Sequence, residues 1–383
     1  MNTFSFSLSQ NIKFGRGSLD ELSKIAETMK VKKAFIVSGP HLFKAGLVSK
    51  CAESLGKAGI SSESFTETEG NPSVETVKKA TEYFKKSNAD IIVAFGGGSP
   101  IDVAKAVAIL GKYGGEITDY EGVGKVPGPV IPMIAIPTTA GTGSEVTAFS
   151  VITDHFRNYK LTVGSNYLLP EHVLLDPDLI KTVPVRTAAF CGVDAMVHAL
   201  EAYISKASSP FSDMMALKSL ELLGKNIKPY VADRTDDDVA GAMLLGSLFA
   251  GIAFSHARLG NVHAMSHPVS AYYDVPHGLA NAIILPVVVE YNALSDQGKY
   301  YEIYKRICSN PVTKKEFRSK MLVEEIRALN HMLDIPWSLK DVGVKEDMIS
   351  AMAEDAMKSG NIAVNPRSTT KSDIEELYKK AMA

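Results

Sequence analysis

Cysteine is scarce in this chain. Its three residues, Cys51, Cys191 and Cys308, stand far apart, are odd in number and form no C-x-x-C pair. That excludes a disulfide framework and a cysteine zinc cluster, and it fits a reduced compartment. Excess charge of either sign is missing too. Lys+Arg is 41 and Asp+Glu is 43, a formal net charge of −2. Neither nucleic acid nor an anionic membrane is therefore expected as a partner. Uninterrupted apolar runs are short: those such as Ala282–Val289 fall well below the ~18–20 residues that span a bilayer. The opening MNTFSFSLSQNIKFG has no basic stretch ahead of an apolar core, so the expectation is a cytoplasmic protein rather than a secreted one.

What is present is an ordinary globular composition. Hydrophobic residues make up 45% and charged residues 22% of the 383, which argues against disorder. At ~150 residues per domain, two or three domains are expected. A chain this long builds its core without a structural metal, so a metal site here would serve function.

The two halves read differently. In the first, Ala34–Ser38, Ile91–Phe95, Ile131–Ile136 and Val173–Asp176 are brief apolar runs bounded by Gly, Pro or Asp. Such runs fit buried strands of a parallel sheet. Helical patterns lie at His41–Ala58, Ser73–Lys86 and Ile101–Leu110, so the expectation is βαβ units and a doubly wound sheet. Thr3–Phe14 alternates weakly and suggests an edge hairpin. After Pro184 the strand signals fade. Thr187–Ser205, Phe211–Tyr230, Val239–Phe254, Asn261–Tyr272, Val323–Leu333 and Ile374–Met382 read as helices. The expected organisation is an α/β domain over 1–183, of dinucleotide-binding type, and an all-helical metal-binding domain over 184–383.

Two loops carry phosphate-binding signals. Gly96-Gly97-Gly98-Ser99-Pro100 follows the strand Ile91–Phe95 and precedes a helix. The glycines let backbone approach a ligand closely, Ser99 suits an N-cap, and Pro100 suits the first helical position. Free N–H groups at a helix start form an anion site, although the same sequence also suits a tight turn that binds nothing. The second loop, Pro137–Glu145, follows Ile131–Ile136 and offers threonine hydroxyls where open α/β sheets bind ligands. After Ala34–Ser38 comes Gly39, which supplies no acid to ribose hydroxyls and so permits NADP(H).

The second half carries metal-binding signals. Asp194 and His198 lie four apart, one helical turn, and His263 and His267 repeat that spacing. His277 follows a proline, and four of the nine histidines fall between His256 and His277. Three imidazoles and one carboxylate would suit Fe²⁺, Zn²⁺, Mn²⁺ or Ni²⁺ rather than Ca²⁺ or Mg²⁺. Spacing leaves open which histidine is the odd one out. A lone D-x-x-x-H is more often a hydrogen-bonding pair. Here the polar residues sit in the strongly apolar AFCGVDAMVHAL, where a buried Asp and His must be paired or coordinated.

Five stretches taken together resemble the iron-containing (group III) alcohol dehydrogenases over nearly the full length. They are GGGSPIDVAK (96–105), PTTAGTGSEVT (137–147), LPEHVLLDPDL (169–179), GVDAMVHALEAYIS (192–205) and GNVHAMSHPVSAYYDVPHGLANAIILP (260–286). The resemblance implies the two-domain architecture shared with dehydroquinate synthase, NAD(P) in the α/β domain, a metal in the helical domain and an active site in the cleft between them. It implies Asp194, His198, His263 and His277 as metal ligands and His267 as a catalytic proton relay. Gly97, Gly98 and Ser99 would hold the pyrophosphate, with Asp102 supporting them. Gly39, Asn71, Thr138, Thr139, Thr142, Lys160, Leu179 and Val183 would line the rest of the cofactor site. Phe149 and Phe254 would wall the nicotinamide and substrate pocket. It also suggests a homodimer or larger homo-oligomer.

Two departures from the family pattern stand out. Members that prefer NAD often carry aspartate where this chain has Gly39, which leans towards NADP(H). His256 and Arg258 stand where Asn and a small residue are common. Arg forks onto carboxylate, sulfonate or phosphonate oxygens, so Arg258, with His256, would select a small aldehyde with an anionic tail. The alternative is a surface or interdomain salt bridge. The expected activity is hydride transfer between NAD(P)(H) and a small alcohol or aldehyde. The competing readings are a dehydroquinate synthase-like lyase, a hydroxyacid–oxoacid transhydrogenase, and an NAD(P)- or metal-binding sensor without turnover.

Overall fold

The structure, a computed structural model, describes residues 3–383. Its α/β unit comprises residues 7–139 and 144–182. The strands are β1 (Asn11–Phe14), β2 (Lys33–Val37), β3 (Ser61–Phe65), β4 (Ile91–Gly96), β5 (Gly122–Val123), β6 (Met133–Pro137), β7 (Phe149–Asp154), β8 (Tyr159–Gly164) and β9 (His172–Leu175). The helices are α1 (Leu22–Thr28), α2 (Pro40–Lys44), α3 (Leu47–Gly56), α4 (Val74–Ser87) and α5 (Gly98–Tyr113). Six strands form a sheet in the order β1-β9-β6-β4-β2-β3, with every pairing parallel. The order is out of sequence because parallel neighbours need crossover connections.

The inner strands β9, β6, β4 and β2 are apolar on both faces, as a doubly covered parallel sheet requires. Phe35 and Val37 of β2, with Ile92 and Ala94 of β4, join the core cluster that includes Val77 of α4 and Val107 of α5. The alternate residues Ala34, Ile36, Ile91, Val93 and Phe95 join Leu22 of α1 and Leu55 of α3. Ser73 caps α4, its hydroxyl accepting from the Thr76 N–H at 3.1 Å.

Several sequence expectations are corrected here. Residues 41–58 form two helices, because Gly46 takes a left-handed conformation (φ 74°) and breaks the run. No hairpin occupies Thr3–Phe14; only β1 forms, and it pairs in parallel with β9. The first-loop helix starts earlier than expected: Gly97, not Ser99, is its N-cap. β3, with sequence SSESF, is a polar edge strand. β7 and β8 form an antiparallel hairpin in a second sheet, ordered β5-β8-β7.

The helical unit comprises the chain up to Phe6, residues 140–143 and Val183–Ala383. Its helices are α6 (Val185–Ile204), α7 (Pro210–Ala232), α8 (Asp237–Ala257), α9 (Asn261–Tyr273), α10 (His277–Asn292), α11 (Lys299–Ile307), α12 (Ser319–Met332), α13 (Ile349–Lys358) and α14 (Lys371–Ala381). Two segments, Asp237–Ala257 and His277–Ser295, are long and apolar enough to cross a membrane by length and composition. That differs from the expectation drawn from uninterrupted runs. Both are mostly buried inside the unit, as core helices.

Residues 140–143 group with these helices because glycine lets them press against α6 and α8. A side chain on Gly141 would meet Cys191 Cβ at 2.7 Å, and one on Gly143 (φ +61°) would meet Gly251 Cα at 2.6 Å. Gly141 and Gly143 are thus required by this packing.

Cys51 lies wholly within the α/β core, and burial pushes its thiol up to about 12. Thiolate is the reactive form. In native protein at pH 8, Cys51 should resist maleimide while Cys191 and Cys308 label, and it should react once guanidinium unfolds the chain. Native labelling of all three at one rate would contradict this packing.

Candidate metal centre and cofactor cradle

Asp194 and His198 project from one face of α6, as their spacing of four requires. His263 comes from α9, and His277 is the first residue of α10. One ligand atom from each lies within 4.8 Å of the others. Asp194 Oδ1 stands 3.9, 3.8 and 3.9 Å from the Nε2 atoms of His198, His263 and His277. Among the described residues this is the group of His, Cys, Asp and Glu side chains positioned to hold an ion. Glycine makes the convergence possible: a side chain on Gly278 would meet Phe190 O of α6 at 2.4 Å. The carboxylate is 2% exposed and surrounded by nitrogen donors, so its charge needs a positive partner.

Two residues that sequence reasoning missed orient the set. Glu201 is one turn beyond His198 on α6 and is wholly buried. Its Oε2 accepts the His263 Nδ1–H at 2.6 Å and its Oε1 accepts the Val262 N–H at 2.7 Å. A carboxylate behind a ligating imidazole fixes the tautomer and turns the free Nε2 lone pair inward. Burial pushes Glu201 up to about 7, against the backbone donors that favour its ionised form. The signal was present, since Asp194, His198 and Glu201 fall at i, i+4 and i+7 on one face. Asn281, one turn after His277, donates to Asp194 Oδ1 at 2.6 Å and sits 3.1 and 3.2 Å from the Nε2 atoms of His263 and His277.

The donor set fits a divalent first-row metal: three imidazole nitrogens and one carboxylate oxygen. A ligating imidazole must be neutral. Burial first, and neighbouring His198 second, push His263 well below its ordinary value. His198 is held by stacking. Its ring lies between Phe254 (centroids 4.5 Å apart, 23°) and His263 (4.6 Å, 23°), so Phe254 walls the centre. His267 stands outside the ligand group, 5.2 Å from the His277 ring and 6.3 Å from the His263 ring. His256 is tilted against Phe6 at 4.4 Å, and Phe6 stacks on Phe211. Arg258 ends α8 at φ 62°, ψ −173°, a region that glycine ordinarily occupies. Its side chain is exposed and, among the described residues, makes no ion pair, so the salt-bridge alternative has no support.

In the α/β unit, Gly97 caps α5, and Gly98 and Ser99 form its first turn, leaving N–H groups free at a positive helix end. Gly97 lies against Thr139, whose Oγ1 would sit 3.0 Å from any Cβ there, and Thr138 N–H bonds Gly96 O at 3.0 Å. Asp102 accepts from Ser144 Oγ at 2.6 Å and Val151 N–H at 3.2 Å. Asn71, left-handed at φ 50°, accepts from Lys160 Nζ at 2.7 Å. Gly39 caps the short α2. Phe149 opens β7 with its ring over Gly164. The Leu179 side chain belongs to the apolar core. Thr142 and Val183 fall within the helical unit.

A dinucleotide-type parallel sheet with a glycine cradle, and a helical unit with an Asp/His₃ centre, define a metal-binding α/β-plus-helical oxidoreductase class. Two family models match: "Iron-containing alcohol dehydrogenase" over residues 9–177 and "Fe-containing alcohol dehydrogenase family, C-terminal" over 188–382. The chain is 36% identical to lactaldehyde reductase of Escherichia coli over 378 residues, covering 98% of each. A crystal structure of 1,3-propanediol oxidoreductase superposes with TM-score 0.95 at 34% identity, covering 100% of both chains. A sulfoacetaldehyde reductase from Bifidobacterium kashiwanohense, in complex with NAD+, gives 0.89 at 27% identity, again covering 100% of both. The chain belongs to the iron-containing alcohol dehydrogenase family. Its activity is hydride transfer between a nicotinamide cofactor and an alcohol or aldehyde.

Replacing His263 with Ala should empty the centre, whereas His267→Ala should keep its metal by elemental analysis. Loss of metal from His267→Ala would overturn the ligand assignment. Glu201→Gln should weaken metal affinity about 10–100-fold, read by competition with a chelating dye.

Proposed function

We propose that the protein is a cytoplasmic, Fe²⁺-dependent, NAD(P)H-linked reductase of small aldehydes, which also runs in reverse on primary alcohols. The observation that carries this reading is the convergence of Asp194, His198, His263 and His277 within 4.8 Å. A bound divalent metal would supply Lewis acidity towards the substrate oxygen, and the nicotinamide would supply or accept the hydride. A reduced nicotinamide bound there would supply the hydride that, with one proton, converts the aldehyde to the alcohol.

The chain's own groups orient, shield and protonate. Asp194 and the three imidazoles would hold the metal, and Phe254, stacked on His198, shields one side of the centre. His267, half-buried beside His277, exchanges the proton with solvent. Gly97, Gly98 and Ser99 would hold the pyrophosphate, with Asn71, Thr138, Thr139, Phe149, Lys160 and Leu179 completing the α/β unit's share of the cofactor site. Gly39 presents no carboxylate to a 2′-phosphate, which supports use of NADP(H). The partners are small molecules and further copies of the chain.

A second reading concerns the substrate. Arg258 follows Phe254 by four residues, carries an exposed guanidinium without a carboxylate partner, and keeps a backbone conformation that glycine would adopt at lower cost. Gly360 leaves room for it, since a Cβ there would come within 2.1 Å of Arg258 Nη2. This supports recognition of an anionic tail, in line with the similarity to a sulfoacetaldehyde reductase. His256, tilted against Phe6, would help to shape that end of the site.

NADPH and NADH oxidation should be followed anaerobically with Fe²⁺ across neutral, carboxylate-bearing and sulfonate-bearing aldehydes. Metal-dependent turnover is expected. No turnover by fully loaded protein would move the reading to the transhydrogenase or the lyase. Arg258→Ala should lower kcat/KM for anionic aldehydes about 10–100-fold more than for neutral ones. Equal loss on both would remove the specificity role. His267→Ala should slow turnover about 100-fold with its metal retained.

A further inference from the structure

Lys105 is wholly buried two turns inside α5, the helix whose first turn forms the cradle. Its Nζ reaches Ser144 O at 2.7 Å, Ser144 Oγ at 3.2 Å, Thr147 O at 2.8 Å, Thr147 Oγ1 at 3.0 Å and Phe149 O at 2.7 Å. Three of these acceptors are backbone carbonyls of the segment that leads from the threonine loop into β7. An ammonium carries three donors and no acceptor, so the protonated lysine is the form that matches this set. Burial pushes Lys105 down to about 8, opposed by the carboxylates of Asp102 and Glu145. Asp102, on the same helix, grips the same segment through Ser144 Oγ and the Val151 N–H, and its own carbonyl accepts from Ser150 Oγ at 2.8 Å.

We propose that Lys105 is a positioning residue for the nicotinamide half of the cofactor, clamping the 144–149 segment to the helix that cradles the pyrophosphate. The inference rests on the reading that Gly97–Ser99 hold the pyrophosphate and that Phe149 faces the nicotinamide. Lys105 touches no reactant. It sets the spacing between the two contact regions within the α/β unit, so a dinucleotide engages both without reorganising the loop. Gly97 and Thr139 already touch at the other end of this interface. The ammonium thus closes a second, deeper contact along the same helix. Its acceptors on Ser144 and Thr147 are buried, so these bonds are worth more than exposed ones.

ADP and NADPH separate this role from a general structural one. ADP carries only the pyrophosphate and adenosine, whereas NADPH also needs the nicotinamide side. Isothermal titration of wild type, Lys105→Met and Ser144→Ala against both ligands is the test, with unfolding temperature measured beside it. Wild type should bind both, with NADH taking the place of NADPH if the chain prefers it; failure to bind either NADPH or NADH would sink the cofactor reading itself. Lys105→Met should weaken NADPH at least about tenfold, the scale of lost hydrogen bonds to a charged group, with ADP changed far less. Ser144→Ala, which keeps the lysine but removes one hydroxyl, should show the same selectivity in smaller measure, and Ser144→Thr should restore it. Equal weakening of both ligands, or of neither, in Ser144→Ala would overturn the proposal even if Lys105→Met failed to fold.

Discussion

One buried charge organises the helical unit. Asp194 sits almost without solvent among three imidazole edges, and an ionised carboxylate in that setting is costly unless paired. Features around it follow from that constraint. α6 supplies the acid, one histidine and Glu201 from a single face, so one helix sets two ligands and the support for a third. α9 must bring His263 within reach of Glu201, and α10 must begin at its first ligand with glycine next to it. The surrounding helices are apolar, which keeps the polar centre in a rigid, dry frame.

The α/β unit meets a different demand. Its inner parallel strands are covered on both faces and therefore read as continuous apolar runs. Such a sheet leaves strand ends and helix starts as the places where a ligand can be met. The cradle before α5 is a direct consequence: Gly96 ends β4, Gly97 caps α5 and Gly98 opens it, so the helix begins with its N–H groups unspent. Lys105 and Asp102 tie that helix to the chain entering β7. A buried lysine and a part-buried aspartate thereby replace apolar packing where the loop offers backbone carbonyls and side-chain hydroxyls.

Much of this was legible in the sequence. The Asp194/His198 spacing, the cluster from His256 to His277 and the glycine turn all marked places where residue type contradicts an apolar setting. Resemblance to a family then separated His267 and His256 from the ligands. Other features were hidden for physical reasons. β3 is polar because an edge strand meets solvent, so it lacks the apolar signature. α10 is apolar all round and shows no 3.6-residue period, so its sequence read as a short run. The break at Gly46 lay inside an otherwise continuous helical pattern. Asn281 and Lys105 are unremarkable residue types, and only the fold reveals what they face. Glu201 was the readable miss, because it continues the face begun by Asp194 and His198.

The central claim is that these four side chains together bind a first-row metal. X-ray absorption at the iron edge of anaerobically loaded protein reads the ligands directly. Three imidazoles with one carboxylate oxygen in the first shell, falling to two imidazoles in a His277→Ala variant loaded to the same iron content, is the predicted result. A shell of water and carboxylate oxygens, or an imidazole count unchanged by that substitution, would contradict it.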